Sequence, residues 1–219
     1  MKVKIDGIVR IKQQGKVLYE IKNNINFTSL LSVLYKVFTN SPPSGSSKPT
    51  VYMEGIYVTM TYSNFVWTGT FSLIANVKVT SLLLYATFNG FQFLASQVNT
   101  TLYLSPGTYT IEWIWIVDDP VGLVKRILNF GFSGTYKSYS IASGTCTSLQ
   151  SVIVQQSNIT FLFSCFETTS TTYTNFTITF DTTNSAGTTY VSTTTLPFAL
   201  QFKLNAPNTL LVPFTIQFA

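Results

Sequence analysis

Histidine is absent from the 219 residues. That removes the group on which Ser-His and Cys-His nucleophile pairs, and most zinc sites, depend. Charge is scarce as well: 10% of residues are charged, against roughly 25% in an ordinary globular chain. Of the eight carboxylates only Asp118 and Asp119 are adjacent, where the start of a helix accounts for them. Nothing in the sequence brings Glu54 and Glu112 to one cleft, as a glycosidase would need. The Ser/Pro-rich segment 39–49 lacks the glycine pattern and terminal Lys-Ser/Thr of a phosphate loop. No catalytic residue, cofactor site or metal site is expected, and the chain reads as a non-enzyme.

Long apolar runs are also missing. The best stretch, 81–95, is short and broken by Asn89, Gly90 and Gln92, well under the about 20 residues that span a bilayer. The start, Met1 to Gly7, has the alternation of a strand rather than a signal peptide. The expectation is a soluble chain with no direct membrane insertion. Cysteine is limited to Cys146 and Cys165, without metal-ligand spacing. They could close one disulfide across neighbouring strands or stand as two small buried hydrophobes. Four Asn-X-Ser/Thr sequons occur, the number that 14 Asn and 55 Ser plus Thr give by chance, so they carry no signal for glycosylation.

What is abundant is apolar and aromatic: 46% hydrophobic residues and 15% aromatic. A chain so rich in apolar surface and so poor in charge either hides its surface against partners or uses Ser, Thr and Asn as a polar coat. Its basic residues cluster. Lys2, Lys4, Arg10, Lys12, Lys16 and Lys22 face only Asp6 and Glu20 in the first 22 positions. Such an end could meet an acidic protein surface or anionic lipid. No consecutive basic block points to nucleic acid, and lysines guarding a strand edge are the plainer reading.

Strand patterns dominate. Residues 1–22 alternate on both sides of Gln14-Gly15, a hairpin signature. Further strands are predicted near 51–61, 65–75, 77–87, 91–95, 98–104 and 108–117, then near 135–141, 149–156, 159–166, 173–181, 188–195, 198–204 and 209–218. Two helices interrupt them. Thr28 can cap a helix over 28–38, where Leu30, Leu31, Leu34, Val37 and Phe38 recur at helical spacing. Asp119 and Pro120 can open a second, with Val121, Val124, Ile127 and Leu128 on one face and Gly131 at its end.

Weak internal repeats relate the two halves at offsets near 94 to 101, most clearly 104–117 with 204–218. The architecture expected is all-β: two tandem, jelly-roll-like β-sandwiches, 1–119 and 120–219, with one or two short helices. The repeat bears on the tryptophans. Ile111, Trp113, Trp115 and Val117 match Val212, Phe214, Ile216 and Phe218, so this face is apolar in both halves and reads as core. On the other face, Ile114 and Ile116 match Thr215 and Gln217. Something should therefore cover Ile114 and Ile116 that the second half lacks: the 28–38 helix, the other domain, or another subunit. These isoleucines, with Lys2, Lys4, Arg10 and Lys12, are the candidate interface residues.

The opening "DGIVRIKQQGKVLYEIKNNINFTSLLSVLYKVF" resembles the start of some phage and archaeal-virus virion proteins: a hairpin, an Asn-rich bend, then a docking helix. Taken with histidine-free, Thr/Tyr/Phe-rich tandem β units, the chain resembles the vertex and turret proteins of icosahedral viruses of the Sulfolobus turreted icosahedral virus type. That resemblance implies a virion structural protein at a capsid vertex, made in the host cytoplasm. It implies a homo-oligomer, a pentamer by analogy, contacting other capsid proteins and a host surface receptor or glycan. Two alternatives use different chemistry: a carbohydrate-binding module or adhesin, which needs exposed aromatics, and a tail-fibre or baseplate-like β module, which would form trimers.

Overall fold

The computed structural model describes residues 1–143, 148–167, 171–204 and 208–219; side chains are described for the same residues except 142–143, 167, 171, 198–204 and 208. Strands hold 68% of the chain and helices 12%, the all-β composition with two short helices that the patterning predicts. In order the elements are β1 (Lys2–Gln13), β2 (Lys16–Ile25), α1 (Phe27–Phe38), β3 (Thr50–Met53), β4 (Ile56–Thr59), β5 (Thr61–Ser63), β6 (Val66–Leu73), β7 (Val77–Phe88), β8 (Phe91–Leu104), β9 (Gly107–Asp118), α2 (Leu123–Ser133), β10 (Tyr136–Ser143), β11 (Ser148–Gln155), β12 (Asn158–Glu167), β13 (Thr171–Asn184), β14 (Thr189–Leu204) and β15 (Asn208–Phe218).

Strand β1 is the hub. Its alternation puts Val3, Ile5, Val9 and Ile11 inside and Lys2, Lys4 and Asp6 outside. One flank pairs antiparallel with β9, from Lys4–Asp118 to Lys12–Thr110. The other pairs with β2 through the turn at Gln14 and Gly15, both at positive φ (51° and 79°), the conformation that tight hairpins require. Its first residues run on to pair parallel with β15 at Gln217 and Phe218. The first layer is therefore β5-β6-β9-β1-β2. The end of β2 crosses to β8 at Asn24 and Ile25, opening a second layer β8-β7-β3-β4. The two layers face one another: the indole N–H of Trp115 on β9 donates to Ser96 Oγ on β8 at 2.8 Å, both groups buried.

Beyond β15 the sheet continues through β12 to β11. Against it lies the three-stranded sheet β10-β13-β14. Phe161 and Phe214 of one layer meet Phe180 of the other at ring-centroid distances of 6.0 and 5.9 Å.

Both helices sit where these layers meet. Helix α1 buries Leu30, Leu31, Val33, Leu34, Val37 and Phe38. Phe38 stands edge-on to Tyr139 (5.5 Å) and Phe161 (4.8 Å). Its cap is Asn26, whose side chain accepts from Ser29 N at 3.1 Å; Thr28, the expected cap, lies inside the helix. In α2 the capping residue is Gly122, in a left-handed conformation. Asp119 still satisfies the helix start, accepting from Val121 N (3.2 Å) and Lys125 N (3.0 Å). Gly131 does not end the helix. It lies within it because any Cβ there would overlap the ring of Phe88. The next residue, Phe132, enters the space between the first two layers, among Trp67 (5.2 Å), Trp115 (5.7 Å), Phe88 (6.3 Å) and Phe93 (6.3 Å).

Candidate interaction face

The inward face of β6, β9 and β1 is uniformly apolar and buried. Trp67 and Trp113 are fully buried and Trp115 nearly so. Ile111, Val117, Val212, Phe214, Ile216 and Phe218 are buried too, so the core assignment taken from the repeat holds in both halves. A sugar platform built on the tryptophans is thereby ruled out.

The outward face of the same strands is built in rows by the pairing register. Lys22, Ile8, Ile114 and Val66 form one row across β2, β1, β9 and β6. On one side stands Asp6 opposite Ile116, then Lys4 opposite Asp118. On the other stand Glu20, Arg10, Glu112 and Thr68. An apolar strip thus runs between charged rows. Ile8, Ile114 and Val66 are partly covered by their neighbours, while Ile116 is 51% exposed. Among the described residues neither α1 nor the second half covers Ile116; α1 packs against β8, β10, β11 and β12 instead. Of the three covers considered, two are therefore absent.

The candidate cations are mostly paired within the chain. Lys4 Nζ lies 2.7 Å from Asp6, Arg10 Nε 2.7 Å from Glu20, and Lys12 Nζ 2.5 Å from Glu112. The hydrogen bonds to Asp6 and Glu20 raise the pKa values of Lys4 and Arg10. Water screens the exposed pairs, which add little stability, but all three fix where each charge stands. Lys2, opposite Gln217, has no ion pair among the described residues.

Beside Ile116 the face dips into a cleft of about 260 Å³ lined by Lys4, Asp6, Gly7, Ile8, Lys22, Asn23 and Ile116. Its floor is the Asn23 amide, which crosses Gly7 into the core. There its oxygen accepts from Ile8 N at 3.0 Å and from the Trp113 indole N–H at 2.8 Å. Gly7 is obligatory at this crossing, because a Cβ would overlap the amide.

Ile8 and Val66 escaped the sequence reading. The signal for Ile8 was present: it is the apolar member of Lys4, Asp6, Ile8, Arg10, Lys12, an otherwise charged set at period two. Cys165 is buried and disulfide-bonded, while Cys146, the other cysteine of the sequence, lies outside the described residues. Glu54 and Glu112 belong to different layers. Glu54, at the β3–β4 turn, accepts from Thr80 Oγ1 and N, which hold its pKa below the ordinary carboxylate value. Among the described residues no group of His, Cys, Asp or Glu side chains could hold a metal ion, and no helix is long and apolar enough to cross a membrane.

No family model matches the chain, and no solved structure matches it. Over 157 residues it is 24% identical to Uncharacterized protein 61 of Sulfolobus islandicus filamentous virus (isolate Iceland/Hveragerdi), a match spanning 71% of this chain and 84% of that protein. The likeness agrees with the archaeal-virus side of the resemblance read from the sequence. It lends nothing to the turreted icosahedral type.

Proposed function

We propose that the chain is a structural, non-enzymatic protein of an archaeal virus particle that joins a second copy of itself through the Ile8–Ile114–Ile116–Val66 strip. The observation that carries this reading is Ile116, half-exposed beside the Ile8–Ile114–Val66 row, with the neighbouring Lys4, Arg10 and Lys12 already paired. An apolar centre inside a polar rim is the anatomy of a protein interface. The rim carries both signs, Lys4 beside Asp118 and Arg10 beside Glu112, so the same face turned by a two-fold axis can offer opposite charges to itself. The viral relative supports the setting. Because that relative comes from a virus described as filamentous, we propose a virion component without fixing it at a capsid vertex.

Native mass spectrometry and sedimentation of the purified chain test this. The wild type is expected to associate. Ile116→Asp places a charge at the strip's most exposed point and should weaken association by at least roughly tenfold, while unfolding stability stays within about 0.5 kcal/mol because the position is exposed. A chain that remains strictly monomeric and binds no other protein of the purified virion refutes the reading. Rings of five would restore the vertex placement.

A further inference from the structure

The exposed face of the second layer carries a groove whose chemistry differs from the strip just described. At the β4 edge, Tyr52 and Tyr57 are direct cross-strand partners, with ring centroids 4.9 Å apart and planes tilted by 50°. Tyr57 is 73% exposed. Leu83 stands opposite Tyr52, and Tyr85 opposite Thr50, on β7. With Gln92 these residues enclose about 430 Å³. Among the described residues no charged side chain lines the space. The polar groups that do are oriented: Gln92 Nε2 and Thr50 Oγ1 both donate to the Lys48 carbonyl at 3.2 Å. This leaves the Gln92 amide oxygen and the Thr50 hydroxyl oxygen as acceptors, beside the tyrosine hydroxyls.

We propose that this groove binds a neutral sugar ring of a glycan. A pyranose presents an apolar C–H face and a rim of hydroxyls. The C–H face suits the electron-rich faces of aromatic rings, and the hydroxyls suit neutral donors and acceptors on the rim. Phosphate, sulfate or nucleic acid would find no cation among the lining side chains; Lys48, whose carbonyl holds Gln92 and Thr50, stands at the rim, and charged probes test whether it attracts an anion. Among the described residues no further strand pairs with β4. The α1–β11 groove lined by Thr28, Ser32, Tyr35, Val152, Ile153 and Val154 has a single ring and does not make this arrangement. The inference rests on the groove alone and stands apart from the subunit contact at Ile116.

The test is a printed array of neutral glycans probed with the full chain, followed by calorimetry on the best oligosaccharide, with heparin and oligothymidylate as charged probes. Binding on the order of 1 mM or tighter is expected for at least one neutral glycan. Tyr57→Ala should weaken it by roughly tenfold or more and Tyr57→Phe by no more than about threefold. Tyr57 is too exposed for its truncation to threaten folding. Silence across the array, undiminished affinity in Tyr57→Ala, or tighter binding of a charged probe than of every neutral glycan overturns the proposal. If the tyrosines only staple β3 to β4, Tyr57→Ala lowers stability and leaves glycan binding where it was.

Discussion

Gly7 and Asn23 should behave as one device, and a double-mutant cycle measures it. Asn23 is 8% exposed and satisfies two buried donors, Ile8 N–H and the Trp113 indole. Removing it in Asn23→Ala strands both. A buried donor without a partner costs about 1–3 kcal/mol. The Ile8 N–H lies beside the open cleft, where water can replace the amide, whereas the Trp113 side chain is fully buried. The expected loss is therefore roughly 2–4 kcal/mol. Gly7→Ala drives a Cβ into the same amide and must expel it, so it forfeits the same two bonds and costs a similar amount. Once Asn23 is truncated the clash has no object. The double variant should then lose no more than Asn23→Ala alone and regain a few tenths of a kcal/mol, because alanine suits a strand interior better than glycine. The coupling between the two sites is thus about as large as either single effect. Urea unfolding followed by tryptophan emission gives all four stabilities. Additive losses, with the double variant at the sum of the singles, would refute the crossing described here.

Phe132→Ala empties the centre of an aromatic cluster fed by both layers and α2, and about 3–5 kcal/mol of destabilisation is expected, read from the urea midpoint; a loss below 1 kcal/mol would contradict that packing. Asn89, buried at the β7–β8 turn, donates to the Tyr136 carbonyl at 2.7 Å and accepts from the Tyr136 N–H. Asn89→Ala should cost about 2–4 kcal/mol, and hydrogen exchange should report faster opening at the start of β10. Burial raises the pKa values of Tyr62 and Tyr136 above the usual value near 10. The unfolded chain then loses these protons first as pH rises, so the native state binds more protons and stability falls. Their contribution is complete below about pH 10 and disappears as pH climbs through the raised native values; thermal unfolding across that range, with tyrosinate absorbance in parallel, checks the sign.

Much of the first layer could be read directly. The Gln14-Gly15 hairpin, the 3.6-residue face of α1 and the burial of Trp113 and Trp115 all follow from local period and from the matched positions near 214 and 216. Element ends were harder, for physical reasons. Glu54-Gly55 is a tight turn with φ of 43° and 82°, but Glu is not a residue whose chemistry announces such a turn, so β3 and β4 read as one strand. Ser96 is buried and polar because it receives the Trp115 indole, and the polar Ser96-Gln97 pair made β8 look like two strands. Gly131 resembled a helix end because glycine usually supplies one; here it serves close approach to Phe88. The candidate faces were least legible. Ile114 and Ile116 could be singled out, but their exposure depends on where α1 docks, which is set by contacts far away in sequence. The tyrosine groove depends on the cross-strand register of Tyr52 with Tyr57 and on β7 lying alongside, and no local pattern encodes that.

The distribution of charge agrees with the proposal that the strip is a contact surface. Six of the thirteen cations and four of the eight carboxylates belong to β1, β2 and β9. Elsewhere the polar coat is largely hydroxyl. Thr177 and Thr195, Thr179 and Thr193, and Thr183 and Thr189 meet across β13 and β14 at 2.9, 3.1 and 3.0 Å. Thr160 meets Thr215 across β12 and β15 at 2.9 Å. Each such cross-strand pair contributes roughly 0.2–1 kcal/mol, no less than an exposed ion pair would, and it is indifferent to salt. Ionic groups are therefore not required to solvate or staple these sheets. Their concentration around Ile8, Ile114 and Ile116 needs a different reason, and fixing orientation and register against a partner is what paired charges around an apolar centre do best.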